Sequence, residues 1–215
     1  MPYKPDVREY RMMPIEVRAR RNEEEKESFI VEGYATTYNQ PYLMRKRDGI
    51  TVYEQVAPEA FDDTDMSDVI MQYDHEGRVF ARLSNGTMQL VNDDHGLKVI
   101  ADLGGTTIGR QLYEEIAGGY TREMSFGFTI SGYNEDVKEL EDGTTEILET
   151  ITGVGRLYDV SAVSLPANPN TYIESKRSAF IDGVIEKRLM EYKAKRDRDN
   201  EKAKLALKIK IAMEV

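Results

Sequence analysis

The chain has 215 residues and a formal charge of −10, long enough for one domain with a sizeable core. It contains no cysteine, which excludes disulfides, thiolate–zinc sites and a cysteine nucleophile. No apolar run reaches the ~18 residues that span a bilayer, and the first residues, MPYKPDVREYRMMP, lack an apolar signal core, so a soluble, cytoplasmic protein with no membrane association is expected.

Charge is unevenly placed. Residues 1–173 carry 17 Lys/Arg against 31 Asp/Glu, whereas residues 174–215 carry 12 against 8. An acidic body with a basic tail argues against nucleic-acid binding. Three regions are expected: an N-terminal segment 1–28, partly disordered or an edge strand, a body 29–173, and a basic helical tail 174–215.

In chain order, FIVEGYATTYN from Phe29 has the composition of a strand. ITVYEQV at 50–56 alternates imperfectly, APEAF at 57–61 suits a short helical turn, and VIMQYDH at 69–75 is an apolar strand ending in polar groups. Residues 79–103 form strands punctuated by Asn85-Gly86, a hairpin signal, and by His95-Gly96. Ile108, Leu112 and Ile116 place one apolar face on a helix over 106–120, capped by Thr106 or Thr107 and ended by Gly118-Gly119. MSFGFTISGY follows as a strand. An acidic hairpin around Asp142-Gly143 and a strand VGRLYDVSAVSL, stopped by PANP at 166–169, complete the body. Residues 177–200 suit a helix, and 205–215 alternate at strand period although their Lys and Ala favour helix. The whole is mainly β with packed helices.

Candidate chemistry is narrowed by scarcity. Only His75 and His95 occur. There is no HExxH, Walker loop or GxGxxG, so no metal or other cofactor is expected. His75 ends an apolar strand in Tyr-Asp-His-Glu, while His95 sits in the turn sequence Asp-Asp-His-Gly. On a strand, Ser125 and Gly127 of Met-Ser-Phe-Gly-Phe point away from Met124, Phe126 and Phe128, and Gly127 leaves open space beside the hydroxyl. Asp159, in Leu-Tyr-Asp-Val-Ser, shares a face with Leu157, Val163 and Leu165 in a regular strand. A carboxylate there needs a partner. His75 is one candidate; Arg156, Arg122 and solvent are the others. Serine needs a base to become a nucleophile, and histidine titrates near the right pH. A carboxylate on the far ring nitrogen would orient that base.

Five ordered blocks carry a resemblance: EGYATTYN (32–39) with YEQVAPEAFDD (53–63), YDHEGRVFARL (73–83), DDHGLKVIADL (93–103), TTIGRQLYEEIAGGYTREMSFGF (106–128) and LYDVSAVSLPANPNT (157–171). In these the body resembles the prohead (capsid maturation) proteases of tailed phages, distant relatives of herpesvirus assemblin. The resemblance implies a seven-stranded, largely antiparallel β-barrel of the herpesvirus-protease type. It implies a serine endopeptidase that cleaves capsid or scaffold precursor, and itself, inside the prohead in the bacterial cytoplasm. It places the catalytic histidine on His75, the serine on Ser125 and the third member on Asp159, where relatives more often carry glutamate. It also suggests a homodimer. A backbone N–H near Leu165 to Asn168, in the turn fixed by PANP, is the expected oxyanion donor. The alternative is a catalytically idle protease fold that binds capsid or scaffold protein as an assembly factor, its basic tail docking on acidic surfaces.

Overall fold

The computed structural model describes residues 7–13, 18–19 and 28–164, and in the tail 183, 186–191, 194, 198 and 201–202. The strands are β1 (Glu9–Met13), β2 (Arg18–Ala19), β3 (Ile30–Thr37), β4 (Tyr42–Arg47), β5 (Ile50–Val56), β6 (Ile70–Tyr73), β7 (Glu76–Arg82), β8 (Met88–Asn92), β9 (Gly96–Asp102), β10 (Glu123–Glu139) and β11 (Thr145–Val163). A 3₁₀ turn, Pro58–Phe61, follows β5, and one α-helix, α1 (Thr107–Ala117), joins β9 to β10.

Two sheets result. The larger runs β1-β10-β11-β5-β4, with β6 also paired to β11 and β7 to β6; the smaller runs β2-β3-β9-β8. The mainly β class is as expected. The seven-stranded closed barrel is not: among the described residues the larger sheet has seven strands, but the two sheets do not close into one barrel. Strand β11 explains the split. At 19 residues it pairs in parallel with β5 over its first half and with β6 over its last residues. One strand thus serves two neighbours in succession instead of passing a single register around a ring.

The core lies between the sheets. Val31, Val99 and Ala101 of the smaller sheet meet Phe126, Phe128, Ile147, Ile151 and Leu157 of the larger, with Leu112 and Ile116 of α1 alongside. Each fully buried side chain of this size contributes ~1.5–3 kcal/mol. The helix forms as its periodicity dictates. Thr106 caps it by accepting the Gly109 N–H at 3.0 Å, and Gly119, at φ 74°, turns the chain out.

Two local expectations change. Asn85-Gly86 does make a turn, with Gly86 at φ 76°. It does not close a hairpin, because β7 pairs with β6 and β8 with β9; the turn carries the chain from one sheet to the other. In β5 the alternation is strict rather than imperfect: Ile50, Val52, Glu54 and Val56 are the buried set. The inward slot at 54 holds a carboxylate, which hides the pattern in the sequence. That carboxylate faces the guanidinium of Arg11, which is equally buried.

The tail positions 186–191 are helical. Arg188 pairs with Glu135 of β10, Lys187 lies 3.6 Å from the same carboxylate, and Leu189 packs on the core. The strand-like alternation at 205–215 lies outside the described residues.

Candidate active site

His75 is presented by a two-residue turn between β6 and β7. Tyr73 and Glu76 pair across it, and Asp74 and His75 have φ of 50° and 60°. Positive φ at both central residues matches the right-handed twist of a hairpin. Non-glycine residues pay for that conformation, about 1–3 kcal/mol each when strained. The site holds the turn with Asp74. Its carboxylate accepts the Ser164 N–H at 2.9 Å and the Ser164 hydroxyl at 2.8 Å, and its own N–H donates to Ala162 O at 3.0 Å. Asp74 therefore anchors the turn to the end of β11 and turns its carboxylate to Ser164.

Ser125 lies on β10, and Asp159 and Ser161 lie on β11. The antiparallel register sets Ser125 opposite Ser161 and Gly127 opposite Asp159. Directly opposed residues share a face, so these four positions form one patch. Asp159 does not share its face with Leu157, as a regular strand would require. Phe128 pairs with Leu157, which leaves Tyr158 as an extra residue in β11. This bulge turns Leu157 into the core and Asp159 onto the serine face. The open space expected at Gly127 beside Ser125 is instead filled by the Asp159 carboxylate and Arg8. A Cβ at 127 would collide with Asp159 Oδ1 and come within 2.9 Å of Arg8 Nε.

The three side chains meet. His75 Nε2 lies 2.5 Å from Ser125 Oγ, and His75 Nδ1 is in hydrogen-bond contact with Asp159 Oδ2. Ser161 donates its hydroxyl to the same Oδ2 at 2.8 Å. Arg8 pairs with Oδ1. Asp159 is fully buried, and a carboxylate so placed is costly unless donors surround it; these three groups are its donors. Neither Arg156 nor Arg122 fills that role, and Arg156 instead pairs with Asp65 at 3.5 Å. Tyr10 packs edge-on against the imidazole, ring centres 4.5 Å apart. The Arg8 guanidinium stacks over Tyr158 at 4.7 Å. Ser125 itself is fully buried, and its hydroxyl also lies 2.8 Å from the carbonyl oxygen of Arg11 in β1.

A serine, a histidine and a carboxylate in hydrogen-bonded sequence can generate an alkoxide-like nucleophile and reprotonate a leaving group. The chain matches the family model described as caudovirus prohead serine protease over residues 14–182. It belongs to that family. That family is one of serine peptidases of phage capsid maturation. No curated protein and no solved structure matches it.

His95 stands apart from these three side chains. It occupies the β8–β9 turn, donating its N–H to Asp93 at 2.9 Å, with its ring 4.6 Å from Tyr34. The expected oxyanion loop, Leu165 to Asn168, lies outside the described residues. Sequence reasoning missed Arg8, Tyr10 and Ser161. Ser161 was within reach, being two residues beyond Asp159 on the same face. Arg8 and Tyr10 arrive from the other end of the chain with no local signal. A groove of about 500 Å³ lined by Pro41, Tyr53, Val137, Lys138 and Leu148 lies at the far end of the β10–β11 pair and includes none of the three.

Proposed function

We propose that this chain is an endopeptidase in which Ser125 is the nucleophile, His75 the general base and acid, and Asp159 the group that orients His75. The observation that carries the reading is the chain of contacts from Ser125 Oγ through the imidazole to Asp159. Its substrates are the major capsid protein precursor or scaffold of the phage, and the protease itself, cut within the assembling prohead.

His75 Nε2 accepts the Ser125 proton as Oγ attacks the scissile carbonyl carbon. The C–N bond breaks as the imidazolium returns that proton to the departing amine. Water, deprotonated by the same nitrogen, then attacks the acyl carbon and frees Ser125. Asp159 holds Nδ1 as the donor, so that Nε2 is the free base, and stabilises the imidazolium between the two steps.

Co-expression with the capsid precursor tests this reading: shortened products should appear with the native chain and disappear with Ser125→Ala. The second reading, an idle protease fold acting in assembly, draws on the complete burial of Ser125. It is favoured if Ser125→Ala leaves both precursor processing and prohead assembly unchanged.

A further inference from the structure

Strand β1 occupies the outer edge of β10, the end position of the larger sheet. It runs antiparallel, with Arg11 opposite Phe126 and Met12 opposite Ser125. This arrangement resembles a substrate more than a wall. A sheet edge beside a nucleophile is a standard seat for an extended polypeptide, because the edge supplies main-chain hydrogen bonds to any sequence. In this seat Ser125 Oγ lies 2.8 Å from the carbonyl oxygen of Arg11. Arg11 thus has the carbonyl nearest the nucleophile, the place a residue on the acyl side of a scissile bond would take once its carbon, in place of its oxygen, turns to Oγ. While β1 is seated, Ser125 is fully buried, so no second polypeptide can reach it. The residues matched by the family model begin at 14, directly after β1. The edge of β10 belongs to the matched body, and its occupant does not.

The Arg11 side chain enters a fitted site. Its Nε and Nη2 donate to the two Glu54 oxygens at 2.5 and 2.8 Å, and Nη1 donates to Glu9 at 3.0 Å. The Phe128 ring lies under the guanidinium at 5.5 Å, and Tyr42 donates its hydroxyl to Glu54. Arg11 and Glu54 are both buried. Burial disfavours the Arg11 charge, but Glu54 more than offsets it, and the guanidinium's pKa rises above its ordinary value. The planar fork suits a two-oxygen acceptor in a way that an ammonium does not. Emptied of Arg11, the seat would leave Glu54 buried without the guanidinium that offsets its charge. A neutral or acidic residue entering there would leave that carboxylate uncompensated.

We propose that the seat of β1 is the substrate seat: an extended polypeptide pairs antiparallel with β10, and Glu54 selects arginine at the residue whose carbonyl meets Ser125. The inference rests on the assignment of Ser125 as nucleophile. The chain's own first strand fills the seat and must leave before a substrate enters.

The test uses the full chain and a library of peptides from a digested proteome, made with a protease that leaves arginine internal. New C-termini are read by mass spectrometry for the native chain and for Ser125→Ala. Ser125-dependent termini ending in arginine, enriched about tenfold or more over other residues, support the inference. Ser125-dependent termini without arginine enrichment overturn it and leave the proposed function intact. Absence of any Ser125-dependent cleavage overturns both. A synthetic peptide of residues 7–12, VREYRM, gives a measurement that no folding defect can confuse. It should compete for cleavage by the native chain, and replacing its arginine at position 11 with glutamate should weaken competition about tenfold or more. Equal competition by the two peptides overturns the role of Glu54.

Discussion

Ser125 Oγ lies 2.5 Å from His75 Nε2, although the two residues are 50 positions apart, one on β10 and the other in the turn between β6 and β7. The contact exists because β11 pairs with β10 on one side and with β6 on the other. The serine comes from one neighbour, the histidine from the turn that ends the other, and the carboxylate from β11 between them.

The first prediction follows from that contact. Ser125→Ala should abolish cleavage of the capsid precursor, and Asp159→Asn should lower turnover by about 10³–10⁴-fold. The substituted amide would present its N–H₂ or carbonyl to Nδ1 and leave the imidazole in the wrong tautomer. Substrate KM should change far less than kcat, and steady-state rates on one peptide check both.

Gly127 gives the second. Gly127→Ala would drive a methyl into Asp159 Oδ1 and against Arg8. Neither backbone nor carboxylate can yield, since Asp159 is fully buried. A loss of about 1–3 kcal/mol in stability is expected, with a fall in turnover from the displaced carboxylate. Chemical denaturation and the same peptide assay measure the two effects.

The turn that carries His75 gives the third. Asp74→Ala removes both bonds from Ser164 and places alanine at φ 50°. About 1–3 kcal/mol of local stability should be lost. The imidazole then loses its fixed approach to Ser125, so kcat should fall while KM stays close to native. Asp74→Asn keeps one acceptor and tolerates positive φ, and should recover much of the loss.

Glu149 gives the fourth. It is fully buried in β11. Burial first, and then the neighbouring Glu135, push its pKa up to about 8. A carboxyl whose folded pKa is raised favours folding when it is protonated. Its contribution is complete below the ordinary carboxylate range and is lost as pH rises through about 8. The thermal midpoint should therefore fall between about pH 5 and 9. In Glu149→Gln, which cannot ionise, that fall should shrink by a few degrees.

Much of this protein could be read before folding. The α1 helix was legible from Ile108, Leu112, Ile116 and its Thr and Gly ends, because helix periodicity and capping are local. Strands β3, β6 and β9 were legible for the same reason. The tight turn at Asp142-Gly143 was too, although the second arm of the hairpin it closes proved continuous with the following strand, the two forming β11. Ser125 and His75 were nominated by the scarcity of alternatives and by the five blocks of resemblance, and the family match agrees with the family those blocks suggest.

Other features depended on register. A bulge at Tyr158 decides which way Asp159 faces, and one extra residue reverses a strand's faces without any mark in its composition. Glu54 broke the apparent alternation of β5 because its partner, Arg11, lies 43 residues away. Arg8 and Tyr10 reach Asp159 and His75 only because β1 pairs with β10.

By itself, then, the sequence determined the local elements, the absence of cysteine chemistry and the candidates for nucleophile and base. Only the tertiary structure decided that Ser125, His75 and Asp159 meet, that the two sheets of the described residues do not close into one barrel, and that β1 lies across Ser125. Helix periods and turn residues act over a few positions. Strand pairing acts between segments of any separation, and its outcome is fixed by which buried charges and carbonyls can satisfy one another.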